Sequence, residues 1–324
     1  MKFRICVIGC GAMSTSVHGP SFKKYASTYP DTELSACCDL VREKAEVYKE
    51  KFGFKKAYTS YDEMLEKEKP HAVCLITNVI HTKDLAVDIM RKGFPVLMEK
   101  PPGINPSECE EIICVSEETG VPARAAFNRR YQPLVKELKS LLKEEKQPVY
   151  NVYYNMLRSG RYDEDFSTTA IHAIDTVRFL LDSDYESVSI RYQHLPQHGE
   201  TVANIYLDGK MKSGTLVRLE FVVDGGALIE RSIINCSNST FLLNTPVGTD
   251  APGRLTHMRK GRVLLDKEGD INEEFYITGG FYNENAEFFD LVKRNSPEIG
   301  DVKTGLQSVI IADCIRNRIE KYVF

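Results

Sequence analysis

Gly9-Cys10-Gly11-Ala12-Met13-Ser14 closes an apolar run, Phe3 to Ile8, and opens a helical stretch. A first glycine permits a tight turn after a strand, and a second lets the backbone approach a pyrophosphate at a helix N-terminus. The third position needs a small side chain for close helix–strand packing; Ser14 is small, though not the usual glycine or alanine. Glycines after a strand are often only turn formers. What favours dinucleotide binding is the acidic residue ending the next apolar run, Asp39 after Leu34 to Cys38. A carboxylate there accepts both ribose hydroxyls and repels a 2′-phosphate, so NAD is the expected cofactor and NADP, despite Arg42 nearby, the less expected. The same carboxylate also suits a helix N-cap for the stretch from Leu40 onward.

Glu99-Lys100-Pro101-Pro102 follows the apolar run Pro95 to Met98. A lysine at the C-terminal end of a parallel strand lies where such sheets bind ligands; the alternative is a surface lysine. His172 sits in Ile171-His172-Ala173-Ile174-Asp175. From the residues alone it is a packed helical histidine, hydrogen-bonded to Asp175 or to the backbone. Arg158, Arg161 and Tyr162 either hold a sugar or an anion or form a solvated loop. The basic stretch Arg254, His257, Arg259, Lys260 and Arg262 reads as a solvated loop face. His18, His81, His194 and His198 have no metal-ligand spacing, so no metal is expected.

Residues 1–124 alternate short apolar runs (Phe3 to Ile8, Leu34 to Cys38, Ala72 to Ile76, Pro95 to Met98) with helical stretches. The helices expected are Leu40 to Lys51, Tyr61 to Glu68, Thr82 to Lys92 and Pro106 to Glu118. This alternation predicts βαβ units and a doubly wound parallel sheet. Gly19-Pro20 interrupts the first helical stretch and predicts a kink or two short helices. From 125 to 324 the pattern changes to a helix, Pro133 to Lys146, and period-two runs: Val149 to Met156, Ser187 to Leu195, Thr201 to Leu207, Thr215 to Val223 and Leu228 to Cys236. Asp208-Gly209 and Asp224-Gly225-Gly226 read as hairpin turns between them, giving a mostly antiparallel open sheet. Thr168 to Leu181, Glu284 to Lys293 and Thr304 to Tyr322 complete the expected helices.

The 324 residues suit two domains at ~150 residues each. Forty-two basic against forty-six acidic side chains give a net charge of −4, which argues against a nucleic-acid partner. No apolar run approaches the ~20 residues of a membrane span. Nine cysteines are an odd number with no C-x-x-C pair, and most lie in apolar runs, so they read as packing residues in a reducing cytoplasm. No leader-like apolar segment follows Met1-Lys2, which also leads to the expectation of a cytoplasmic location.

The chain resembles the glucose–fructose oxidoreductase / inositol dehydrogenase / MocA (Gfo/Idh/MocA) family over essentially its whole length. The motifs that carry the likeness are Gly9 and Gly11, Asp39, Asn78 with His81, Glu99-Lys100-Pro101, Asn128-Arg129-Arg130-Tyr131-x-Pro133 and Ile171-His172-Ala173-Ile174-Asp175. The resemblance implies an N-terminal Rossmann domain, a C-terminal domain with an open sheet, and NAD(P)-dependent oxidation of a sugar, inositol or related polyol. It implies cofactor contacts from Gly9, Gly11, Ala12, Met13, Asp39, Thr77, Asn78, His81, Glu99 and Lys100. Substrate contacts would come from Lys100, Arg130, Arg161, Thr168 and His172, with Lys100 and His172 exchanging the hydroxyl proton. One departure stands out. Thr168 occupies the place, four residues before the histidine, where the family commonly carries an aspartate.

Two other readings share these parts: glycoside cleavage through transient oxidation by tightly held NAD, and a non-catalytic NAD- or sugar-binding protein. Lys100 and His172 argue against the latter, since a binding module needs no proton-transfer pair. An open sheet with one uncovered face predicts a homodimer or homotetramer packed through the C-terminal sheet.

Overall fold

Six short strands, Phe3–Ile8 (β1), Thr32–Cys38 (β2), Lys56–Tyr58 (β3), Ala72–Leu75 (β4), Val96–Glu99 (β5) and Ala123–Ala126 (β6), pair in the order β3-β2-β1-β4-β5-β6. Every pairing is parallel. The computed structural model describes residues 2–248, 251–296 and 302–324. Helices Gly19–Thr28 (α1), Arg42–Phe52 (α2), Tyr61–Glu68 (α3), Val79–Arg91 (α4) and Pro106–Thr119 (α5) connect the strands. Because strands covered on both faces need no polar side, β4 reads as an unbroken apolar run and β1 as one interrupted only by Arg4. Two strands, β3 (Lys56-Ala57-Tyr58) and β6 (Ala123-Arg124-Ala125-Ala126), are short and carry no run of large apolar residues that would mark them in the sequence. The interruption at Gly19-Pro20 takes the form of a π-helical turn, Ser14–His18, with Pro20 in the first turn of α1. Polar caps start the later helices: Ser60 accepts from the Glu63 N–H, and Asn105 from that of Glu108.

The chain divides into two compact units, Met1–Asn128 with Gly280–Val309, and Arg129–Gly279 with Ile310–Phe324. In the second unit, Pro133–Glu145 (α6) and Ser167–Leu181 (α7) accompany strands Val149–Leu157 (β7), Tyr185–His194 (β8), Ala203–Met211 (β9), Leu216–Val222 (β10), Ile229–Cys236 (β11), Ser239–Asn244 (β12), Arg254–Arg259 (β13) and Arg262–Glu268 (β14). The short helix Phe275–Thr278 (α8) ends this stretch. Phe281–Lys293 (α9) then returns to the first unit, where Phe288 and Phe289 are fully buried among Phe3, Phe22 and Tyr25. Leu306–Arg316 (α10) and Lys321–Val323 (β15) close the chain.

The second sheet has nine strands in the order β14-β13-β12-β11-β7-β10-β9-β8-β15, all antiparallel except β7 with β10. Four local expectations need correction. Asp208-Gly209 lies within β9; the turn comes later, where the Gly214 N–H donates to Met211. Asp224-Gly225-Gly226 makes no hairpin, because β7 inserts between β10 and β11 and pairs with both. The basic stretch is the β13–β14 hairpin, with Arg254 paired to Asp266 and Arg259 to Glu145. The last helix stops at Arg316, since Arg318 takes a left-handed φ of 56° and the Ile319 N–H bonds back to Cys314. Ile319 and Tyr322 therefore lie outside the helix, and Tyr322 joins β15.

Candidate active site

The strand registers place four residues in one row at the C-terminal edge of the parallel sheet. Ile8 pairs with Cys38 on one side and Leu75 on the other, and Leu75 with Met98. One step on come Gly9, Asp39, Ile76 and Glu99. The chain leaves β1 toward β2 and β3 on one side, and builds β4, β5 and β6 on the other. The row therefore lies at the topological switch point, where open α/β sheets bind ligands.

Gly9 has φ 98°, and a Cβ there would meet the Ile76 carbonyl oxygen at 2.1 Å. Only glycine fits. At Gly11 the reason differs: an added Cβ would find no atom of the chain within 4 Å. The second glycine thus leaves open space over the N-terminal end of the first helix, as a pyrophosphate requires. The Thr77 hydroxyl, beside Gly9, is buried with no hydrogen-bond partner among the described residues. Asp39 accepts from the Cys10 N–H through Oδ2 and from the Val41 N–H through Oδ1, both at 2.9 Å. It is not the α2 cap, because that helix starts at Arg42. Each carboxylate oxygen keeps a further acceptor site for a ribose hydroxyl. Arg42 is turned to Glu46. Together these features fit a dinucleotide.

Ser14 fills the third glycine's position and is fully buried, its hydroxyl donating to Tyr48 of α2 at 2.9 Å. Ala12 and Met13 are exposed at the start of the helix. Asn78 caps α4 by accepting from the Ile80 N–H, which explains why that helix begins at Val79 and not at Thr82. His81 is exposed one turn later. Glu99 accepts from His18 Nε2 at 2.8 Å and from the Lys100 backbone N–H at 3.1 Å. Burial would raise this carboxyl's pKa, but the His18 hydrogen bond and the charges of His18 and Lys100 outweigh it and hold it down. The half-buried Lys100 follows directly. In the sequence His18 has no metal-ligand spacing, and its contact with Glu99, 81 positions away, has no local signal.

In the second unit His172 lies on α7, buried, with Arg129 Nη1 at 3.5 Å from its Nε2. A guanidinium only donates, so Nε2 accepts in that contact. Arg129 and Arg158 both pair with Glu230, which is sealed from solvent and also accepts from Tyr154. Burial alone would raise the Glu230 carboxyl; the two guanidiniums outweigh it and hold it near about 2. Arg158 is therefore a buried partner of Glu230, not a solvated loop residue. Arg130 makes a two-pronged pair with Asp175 at 2.7 and 2.6 Å, so the carboxylate three residues after His172 is engaged by an arginine. Thr168 bonds the Asp165 carbonyl at 3.3 Å in the first turn of α7. Arg161 is exposed and pairs with Asp163 at 2.5 Å, while Tyr162 stacks on His198 and donates to Asp224. Eight of the nine cysteines are buried thiols, Cys114 being exposed.

A doubly wound parallel sheet with this glycine turn at its switch point defines the Rossmann class of dinucleotide-binding proteins. Residues 3–127 match the family model described as "Oxidoreductase family, NAD-binding Rossmann fold" (GFO_IDH_MocA). Over that N-terminal stretch the chain is similar to the Gfo/Idh/MocA oxidoreductases. It is 22% identical over 339 residues to the inositol 2-dehydrogenase of Salmonella typhimurium, covering 98% of this chain and 95% of that one. Among solved structures it resembles a probable dehydrogenase from Thermotoga maritima (TM-score 0.81, 19% identity, 99% and 98% of the two chains). It also resembles an aldose-aldose oxidoreductase from Caulobacter crescentus (TM-score 0.83, 15% identity, all of both chains). Both structural likenesses speak for the fold.

Proposed function

We propose that the protein is a dehydrogenase that uses NAD in preference to NADP to oxidise a secondary alcohol of a sugar, inositol or related polyol. The observation that carries this reading is the edge row, in which a glycine turn, a fixed carboxylate and the Glu99-Lys100 pair follow neighbouring parallel strands. Gly9, Gly11, Ala12 and Met13 would hold the pyrophosphate, Asp39 the adenosine ribose, and Thr77, Asn78, His81, Glu99 and Lys100 the nicotinamide half. Fixed negative charge at Asp39 disfavours a 2′-phosphate, and Arg42 is engaged by Glu46. Full-length similarity to inositol 2-dehydrogenase supports the polyol class.

A bound NAD would supply the hydride acceptor for the carbinol carbon. The chain's own task is the proton. Lys100 and His172 are assigned to take it from the hydroxyl and, in the reverse direction, to return it. A lysine ammonium also steadies the developing alkoxide. Thr168 carries no charge, so His172 lacks the carboxylate that would orient it in much of the family, and Lys100 takes the larger share. Arg130 and Arg161 remain substrate-contact candidates. A panel of inositols, sugars and sugar acids with NAD and NADP, followed by nicotinamide absorbance, tests the reading. Reduction of NAD by at least one cyclic polyol or sugar is expected; no turnover across the panel would overturn it.

A further inference from the structure

We propose that His18 is the positioning residue of the Lys100 centre: it fixes Glu99, and Glu99 fixes the backbone from which Lys100 projects. This rests on the assignment of Lys100 to proton transfer. His18 is fully buried, and its Nε2 meets Glu99 Oε1 at 2.8 Å. The other carboxylate oxygen, Oε2, holds the Lys100 N–H at 3.1 Å. On the far side of the ring the Asn285 amide meets Nδ1 at 3.2 Å, and Phe281 packs edge-on at 5.5 Å. Asn285 is buried too, its Oδ1 without a partner among the described residues. Three separate segments thus converge behind one lysine: the first helical stretch, the end of β5, and α9.

Helix geometry shows that this convergence is built in. In an unbroken α-helix, residues four apart share a face. Ser14 and His18 are four apart, yet Ser14 meets Tyr48 of α2 while His18 meets Glu99 at the end of β5. The widened turn of Ser14–His18 lets both contacts form, and such π turns concentrate at functional sites. Stability alone is a weak reason for the arrangement, because buried polar pairs are often replaceable by apolar packing with no loss. The titratable groups facing Glu99 are His18 and Lys100; Glu284 lies next to Asn285 on α9 and is buried. With His18 removed, desolvation drives Glu99 toward its neutral form and loosens its hold on the turn.

The test compares His18→Leu, His18→Gln and Lys100→Met, first in the ligand-free protein. The readout there is the pH dependence of Lys100 labelling by an amine-reactive reagent, followed by mass spectrometry. In His18→Leu the labelling midpoint should move and kcat should fall by ~10-fold or more, with KM for NAD within about twofold. His18→Gln, which retains an N–H for Glu99, should recover most of both. If His18→Leu does not fold, Asn285→Leu carries the test in the same direction with a smaller effect. A labelling curve and kcat unchanged from wild type in the folded variant would overturn the role of His18. That result together with an inactive Lys100→Met would leave the Lys100 assignment standing, whereas full turnover in Lys100→Met would remove the assignment itself.

Discussion

At the scale of single residues, the roles proposed for Asp39, Lys100 and His172 are each open to substitution. Asp39→Ala removes an acceptor for ribose and a repulsive charge together, so NAD binding should weaken by ~10-fold or more and its margin over NADP should narrow. Equilibrium titration with both nucleotides checks this; tighter binding of NADP by the unmodified protein would contradict the reading of Asp39. Lys100→Met and His172→Ala should each lower kcat by at least ~100-fold, Lys100→Met the more, while His172→Ala leaves NAD affinity nearly unchanged. Steady-state kinetics on one confirmed substrate decides both. The placement of Gly9 and Gly11 after β1 and of Asp39 after β2 was legible from short-range spacing. His18, Asn285 and Glu230 were not, because each acts through a partner between 72 and 267 positions away. No local pattern marks such a pairing.

Elements give tests that separate folding from binding. Gly9→Ala forces a Cβ onto the Ile76 carbonyl at a positive φ, so it should destabilise the protein by roughly 2–4 kcal/mol, read by thermal unfolding. Gly11→Ala meets nothing within 4 Å, so stability should change by less than ~0.5 kcal/mol while NAD binding falls. Loss of stability without loss of binding at Gly11 would argue for a plain turn. In the second unit, Glu230 ties β11 to Arg129 and Arg158. Its pKa is depressed from an ordinary 4.5 to about 2, so its stabilisation is complete above the ordinary value and is lost as pH falls through about 2. Glu230→Gln should destabilise the protein by roughly 3–5 kcal/mol at neutral pH and flatten the acid limb of stability against pH. The amphipathic helices and the longer strands were legible from their periodicity. The strand order β11-β7-β10 was not, since a parallel insertion between sequence neighbours leaves the same alternation as a hairpin.

For the whole molecule, the outward face of the nine-stranded sheet is mixed. Tyr153 and Leu216 are exposed beside an Arg218–Asp208–Arg191 charge network and an Asn155–Glu220 hydrogen bond. A homodimer or homotetramer through this sheet would bury both kinds of surface, and a solution mass near the 36.7 kDa of one chain would contradict it. The return of 280–309 to the first unit escapes sequence reading, because an amphipathic helix does not state which core it covers. The most direct measurement is the initial rate of NAD reduction with inositols and sugars, made side by side on the unmodified protein and on Lys100→Met. The expected result is substrate-dependent NADH formation that the substitution lowers at least ~100-fold. Equal rates in the two proteins, or no NADH from either with any polyol or sugar, would contradict a polyol dehydrogenase centred on Lys100.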